Sequence, residues 1–158
     1  MKLTAKTDID APAGFLYESL TDFPNWEREA VRRGIDIDRP AGVPLTGLGA
    51  SWRISGRFRG KQRRLLLRIV KLVPGEVIEY SFDSPSAIGS IEFDISTLSA
   101  RRSRLRLAID VRPKTLAARL FLNTIRLAKG RVEGKLEARL AGLGSYVKQR
   151  HERSQAQA

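Results

Sequence analysis

Along residues 2–10 polar and apolar positions alternate: Leu3, Ala5, Thr7 and Ile9 on one side, Lys2, Thr4, Lys6 and Asp8 on the other. That period of two predicts a half-buried strand. Asp10-Ala11-Pro12 predicts a helix start, with Asp10 as N-cap and Pro12 early in the first turn. Phe15, Leu16, Ser19 and Leu20 give this short helix an apolar side, and Asp22-Phe23-Pro24 breaks it. A second short helix covers NWEREAVRR and ends at Gly34. Ile35 and Ile37 predict a brief strand before the Gly- and Pro-rich loop RPAGVPLTGLG.

The period of two then returns and persists. Trp52, Ile54, Gly56 and Phe58 alternate with Arg53, Ser55, Arg57 and Arg59, and a turn at Gly60-Lys61 leads into Leu65, Leu67 and Ile69. A turn at Pro74-Gly75 leads to Ile78, Tyr80 and Phe82. Ile91, Phe93 and Ile95 come next, and after Ser99-Ala100 follow Leu105, Leu107, Ile109 and Val111. Strands joined by short turns predict an antiparallel meander with one dry side. From Pro113 the period changes: Ala117, Phe121, Ile125, Ala128, Val132, Leu136, Leu140, Leu143 and Val147 recur at helical steps. Residues 114–149 read as one helix of roughly 54 Å, with Gly130 and Gly134 as bend points. Gly142 and Gly144 either allow a close approach to the sheet or loosen the last turns of the helix, and the last eight residues read as a disordered tail. One domain over residues 1–150 is the expectation.

Charge changes the picture less than it first suggests. The net charge is +12, and residues 49–72 hold eight Lys or Arg and no acid, while residues 73–100 carry −5. If sequence neighbours pair in the sheet, Glu92 and Asp94 lie beside Arg104 and Arg106, and Glu79 and Asp83 lie near Arg64 and Arg68. Opposite charges on adjacent strands then compensate locally, each pair contributing about 0.2–1 kcal/mol. The basic strands are mainly the wet side of a sheet. The chain has no cysteine and one histidine, His151. The first removes disulfides and thiolate chemistry, and the place of the second in the polar tail HERSQAQA disfavours a histidine-centred triad or metal cluster. No apolar run approaches the ~20 residues of a membrane span, so the expectation is a soluble, cytoplasmic protein with no cofactor.

Ala11-Pro12, Phe15 to Tyr17 and above all TDFPNW, Thr21 to Trp26, carry a resemblance. With the order strand, two short helices, six strands and a long C-terminal helix, the chain resembles the START/polyketide-cyclase-like (SRPBCC) superfamily, the helix-grip fold of the birch-pollen allergen. The resemblance implies an α+β domain in which a curved seven-stranded antiparallel sheet grips the long helix around an apolar cavity. It also implies a hydrophobic ligand there, with no universal catalytic motif.

The expected cavity residues are Trp52, Ile54, Phe58, Leu67, Ile69, Tyr80, Phe82, Phe93, Leu105, Leu107, Phe121 and Ile125, with Gly56 and Gly89 leaving room. Tyr80 follows the parity of Ile78 and Phe82 and is the candidate inward polar group; Asn123 and Thr124 are further candidates. The carboxylates Asp22, Glu79, Glu92, Asp94, Glu133 and Glu137 fall on wet faces or helix junctions, which gives acid/base catalysis little to work with. Binding or transport of a small hydrophobic or lipid-like ligand is therefore the leading reading, and a cyclase or dehydratase using the same cavity is the alternative. A third reading docks the basic residues Arg119, Arg126, Lys129, Arg131, Lys135 and Arg139 on anionic lipid, with LFLN at 120–123 as the insertion point. Nucleic acid is disfavoured because the aromatics interleaved with basic residues point inward and form no stacking platform.

Overall fold

The computed structural model describes residues 1–158. Strand β1 (Lys2–Ile9) leads to helices α1 (Ala13–Leu20) and α2 (Phe23–Arg32). Six strands follow: β2 (Asp36–Asp38), β3 (Ser51–Phe58), β4 (Lys61–Val73), β5 (Val77–Asp83), β6 (Ala87–Ser99) and β7 (Arg102–Pro113). The chain closes with helices α3 (Leu116–Leu127) and α4 (Lys129–Ala156). All seven strands form one antiparallel sheet in the order β1-β7-β6-β5-β4-β3-β2. The meander is therefore as the alternation predicts, with β1 added beside β7.

Register explains why one side is dry. Directly opposed residues share a face, and the rows Trp52-Leu67-Phe82, Ile69-Tyr80-Ile91-Ile109 and Ile78-Phe93-Leu107-Ala5 run across the sheet. Against this concave face pack α1, α2 and α4, and the main core gathers Ile9, Leu16, Ile78, Leu105, Leu140 and Val147. A second cluster of Phe23, Ala50, Trp52 and Ile69 closes the β3–β4 end. The β3–β4 turn has both central residues at positive φ, Arg59 at 54° and Gly60 at 75°, the geometry that matches strand twist.

Two glycines are set by close approach. A Cβ on Gly144 of α4 would lie 3.0 Å from Ile9 Cγ1, so this helix crosses β1 tightly, as expected; Gly142 faces open space. Gly89 leaves no empty room. Its missing Cβ would fall 1.9 Å from the Asp110 carbonyl oxygen and 2.7 Å from the Phe82 ring, so β6 lies too close to β7 there for any side chain.

Several expectations need correction. The C-terminal segment is two helices, broken at Ala128 (φ −113°, ψ 26°). Residues 121, 125, 132, 136 and 140 would be in phase on one continuous helix, so periodicity does not register the break. Asp10 does not cap α1, whose N-cap is Pro12 without a side-chain bond; its carboxylate instead pairs with Arg102 and Lys148. Residues 151–156 continue α4, because His151 packs edge-on against Phe15 with ring centroids 4.8 Å apart. On the wet face a register shift between Ile69 and Lys71 sets Glu79 opposite Lys71, not near Arg64 or Arg68, while Asp83 lies opposite Leu66 with Arg64 and Arg68 as diagonal neighbours, as expected, and pairs with Lys114. Asp94 does meet Arg106, but Glu92 lies opposite Glu79 and Ala108, and Arg104 pairs with Asp8.

Candidate functional site

Between sheet and helices lies a cavity of about 310 Å³. Its floor is Leu67 of β4, Ile78 and Tyr80 of β5, and Ile91 and Phe93 of β6; its roof is Leu20 of α1, Trp26 of α2 and Leu143 of α4. The floor follows from alternation, since all five point to the dry face of paired strands. The roof follows from the junction between the two short helices. Trp26 is held there by its indole N–H, which donates to the Ser19 carbonyl at 2.8 Å, and by its ring, 5.5 Å from that of Tyr146. Asn25 donates to the Tyr146 hydroxyl at 2.9 Å. Asp22, at the start of α2, accepts from Arg150 of α4 at 2.5 Å, so it ties helix to helix and leaves the α2 amides uncapped.

Tyr80 is the cavity's polar group. Its ring stands between Trp52 and Phe93, with centroids 6.3 and 6.4 Å away. Burial, and secondarily the nearby Tyr17, push its phenol up to about 12, so it is a neutral donor at physiological pH. The only buried side-chain polar atom without a partner is Nη1 of Arg150. Tyr80 lines the cavity, and its hydroxyl forms no hydrogen bond within the protein. A buried tyrosine hydroxyl ordinarily finds a partner; here the position is open to a ligand oxygen.

Of the twelve residues expected in the cavity, Leu67, Tyr80 and Phe93 line it. Trp52 and Ile69 form the second cluster behind Tyr80, and Ile54 packs on that cluster. Trp52 is pinned by its indole N–H to the Glu27 carboxylate at 2.8 Å and by Arg39 stacked 4.2 Å over the ring. Phe82 covers Gly89, while Leu105 and Leu107 are core. Phe58 lies exposed at the end of β3, Phe121 lies exposed on α3 and Ile125 is half-buried there. Asn123 and Thr124 are exposed on α3 and face solvent. Sequence reasoning missed Leu20, Trp26, Ile78, Ile91 and Leu143 as lining. Ile78 and Ile91 share the parity of Tyr80 and Phe93, and Trp26 sits in TDFPNW, so the signal was present for those three.

A second cleft of about 650 Å³ runs along edge strand β1 beside the start of α4. Its walls mix Lys2, Lys6 and Arg106 with Glu92, Asp94, Glu133 and Glu137. The Glu133 carboxylate accepts the Thr4 amide at 2.7 Å and its hydroxyl at 3.2 Å, which blunts an otherwise free sheet edge. Next to this cleft the adjacent Glu92 carboxyl, and secondarily burial, raise the Glu79 carboxyl. The charges largely answer one another, and this cleft reads as a solvated face.

Protein-family models and curated protein sequences yield no match to the chain. Solved structures do match. The aromatase/cyclase ZhuI from Streptomyces sp. R1128 superposes with a TM-score of 0.70 at 20% identity, covering 95% of this chain and 94% of that one. A START superfamily protein from Mycobacterium smegmatis gives 0.56 at 16% identity over 87% and 97% of the two chains. Ara h 8.0201 gives 0.60 at 13% identity over 93% and 97%. At these identities the likeness is one of fold.

Proposed function

Starting from the helix-grip fold that the chain shares with these proteins, we propose that it binds a small hydrophobic ligand between sheet and helices. The observation that carries this reading is the 310 Å³ space whose eight lining residues are apolar save for the Tyr80 hydroxyl. An apolar site with few, well-placed polar groups is what such ligands require. The volume lies at the small end of ligand pockets, roughly 300–1,000 Å³. It suits a ligand of one or a few rings, or a single short chain, with one oxygen for Tyr80. A carrier needs nothing further from the walls.

Similarity to an aromatase/cyclase favours a second reading, turnover of a polyketide-like substrate, with Tyr80 as the proton donor in the cavity. Mass spectrometry of an organic extract from gently purified protein tests the first reading. A hydrophobic compound near one per chain is expected from wild type and should be lost in Leu143→Trp, which fills the cavity. Phe93→Ala should weaken rebinding of that compound, while Arg57→Ala, on the wet face, should leave it unchanged. Equal retention by all variants would overturn the cavity site. A clean extract combined with Tyr80-dependent turnover of an added polyketide would establish the second reading.

A further inference from the structure

Helix α3 has an outer face that the fold leaves uncovered. Leu116, Leu120 and Leu127 are 72%, 59% and 92% exposed, and their spacing of four and seven residues places them on one stripe of the helix. The opposite side of α3 is already used: Leu122 is buried and Ile125 half-buried. Arg119 and Arg126 border the outer stripe, and neither forms an ion pair, unlike Lys114 just before the helix, which pairs with Asp83. The β3–β4 hairpin end joins this surface, because the Arg59 guanidinium lies 4.6 Å over the Phe121 ring and Phe58 is 59% exposed. Residues 111–132 contain no acid, nor do residues 49–72. The whole chain exposes 9984 Å², against roughly 7,900 Å² for a compact monomer of its mass.

We propose that the α3 stripe and the hairpin end form a docking surface for an anionic lipid bilayer. Three leucines in water gain only where hydrocarbon is offered, and the cations around them gain only where anions are. A bilayer with anionic headgroups supplies both at the right depths, with leucines below the headgroups and arginines among them. A second copy of this chain is a poor occupant: a two-fold contact would set this basic patch, with Arg119 and Arg126, against an identical basic patch. Nucleic acid answers the charge and leaves the leucines wet. No helix is long and apolar enough to cross a membrane, so the contact is peripheral. It does not depend on the cavity reading, since no α3 residue lines that cavity.

The test is flotation of the full chain with vesicles of phosphatidylcholine, alone or mixed with phosphatidylglycerol, at low and high salt. Wild type should bind the mixed vesicles at low salt, bind neutral vesicles weakly and release as salt rises. Each basic residue near the surface is worth roughly fivefold. Arg119→Glu with Arg126→Glu should therefore cost at least about 25-fold, and Leu120→Ser with Leu127→Ser about tenfold or more. Both pairs are exposed, so the melting temperature should hold, and each pair checks the other. Arg101→Glu in the β6–β7 turn with Arg153→Glu in the last turn of α4 makes the same charge change at the ends of β7 and α4 remote from α3, and should bind as wild type. Binding that ignores lipid charge, or loses as much in the distal control as in the α3 pairs, overturns the proposal. So does a soluble dimer that the leucine pair dissolves, or nucleic-acid binding in place of vesicle binding.

Discussion

The Tyr80 ring stands between Trp52 and Phe93 on the cavity wall and its hydroxyl has no partner in the protein, which makes it a site of measurable consequence. Tyr80→Phe removes one hydrogen bond to a ligand oxygen, worth about 0.5–1.5 kcal/mol. Affinity for the extracted ligand should fall several-fold in a fluorescence titration, with the melting temperature at neutral pH nearly unchanged. The same substitution should act on alkaline stability. An acid whose folded value, about 12, lies above its ordinary 10.0 binds its proton more tightly when folded. Stability from Tyr80 is therefore full below pH about 10 and lost as pH rises toward about 12. Wild type should weaken in that window by up to about 2–3 kcal/mol, and Tyr80→Phe should flatten this part of the profile. Glu79 offers the acidic counterpart. Glu92 beside it raises its value, so the folded state holds that proton more tightly and loses stability as pH rises through Glu79's titration. Glu92→Gln should stabilise the protein at neutral pH by about 0.2–1 kcal/mol, and the gain should vanish in acid, where both carboxyls are protonated.

Among the elements, β6 and α4 differ in what their glycines do. Gly89 faces the Asp110 carbonyl, and no side chain fits the 1.9 Å its Cβ would be given. Gly89→Ala must push β6 off β7 or displace Phe82, and should cost more than about 2 kcal/mol in urea unfolding. Gly142 meets nothing within 4 Å, so Gly142→Ala should stabilise by about 0.5–1 kcal/mol through helix propensity alone. The break at Ala128 has a similar lesson. Gly130 and Gly134 lie just beyond it and weaken the first turns of α4, yet the break at Ala128 comes two residues before the first of them. What the break achieves is geometric: α3 departs from the axis of α4 and presents Leu116, Leu120 and Leu127 to solvent.

At the scale of the molecule, the end of α4 is part of the fold. His151 closes over Phe15 of α1, and Arg150 reaches Asp22 at the start of α2. Together these contacts hold the two short helices, and with them the roof residues Leu20 and Trp26, against the long one. Truncation after residue 150 should lower stability by about 0.5–1.5 kcal/mol through loss of the edge-on contact, read as a drop in melting temperature. A free tail would give no change.

The alternation of Trp52 to Phe58, Leu65 to Ile69, Ile78 to Phe82, Ile91 to Ile95 and Leu105 to Val111 by itself determined the meander and its dry face. A strand has only two sides, and a period of two names them directly. The two short helices were legible for a similar reason: Pro12, Pro24 and Gly34 act on their own backbone. The roles of charged residues were not. Asp10, Asp22 and Glu92 each have partners decided by register, bulge and helix placement, with separations of 92 residues for Arg102 and 128 for Arg150. The cavity divides along the same line. Its floor was implicit in strand parity, whereas its roof of Leu20, Trp26 and Leu143 comes from three helices that meet only after folding. Phe58 and Phe121 carry the hydrophobic signal of core residues, yet the hairpin end and the departure of α3 leave them outside. Local pattern says which side of an element is apolar; only the packing of elements against one another decides what that side meets, whether core, cavity or an open surface.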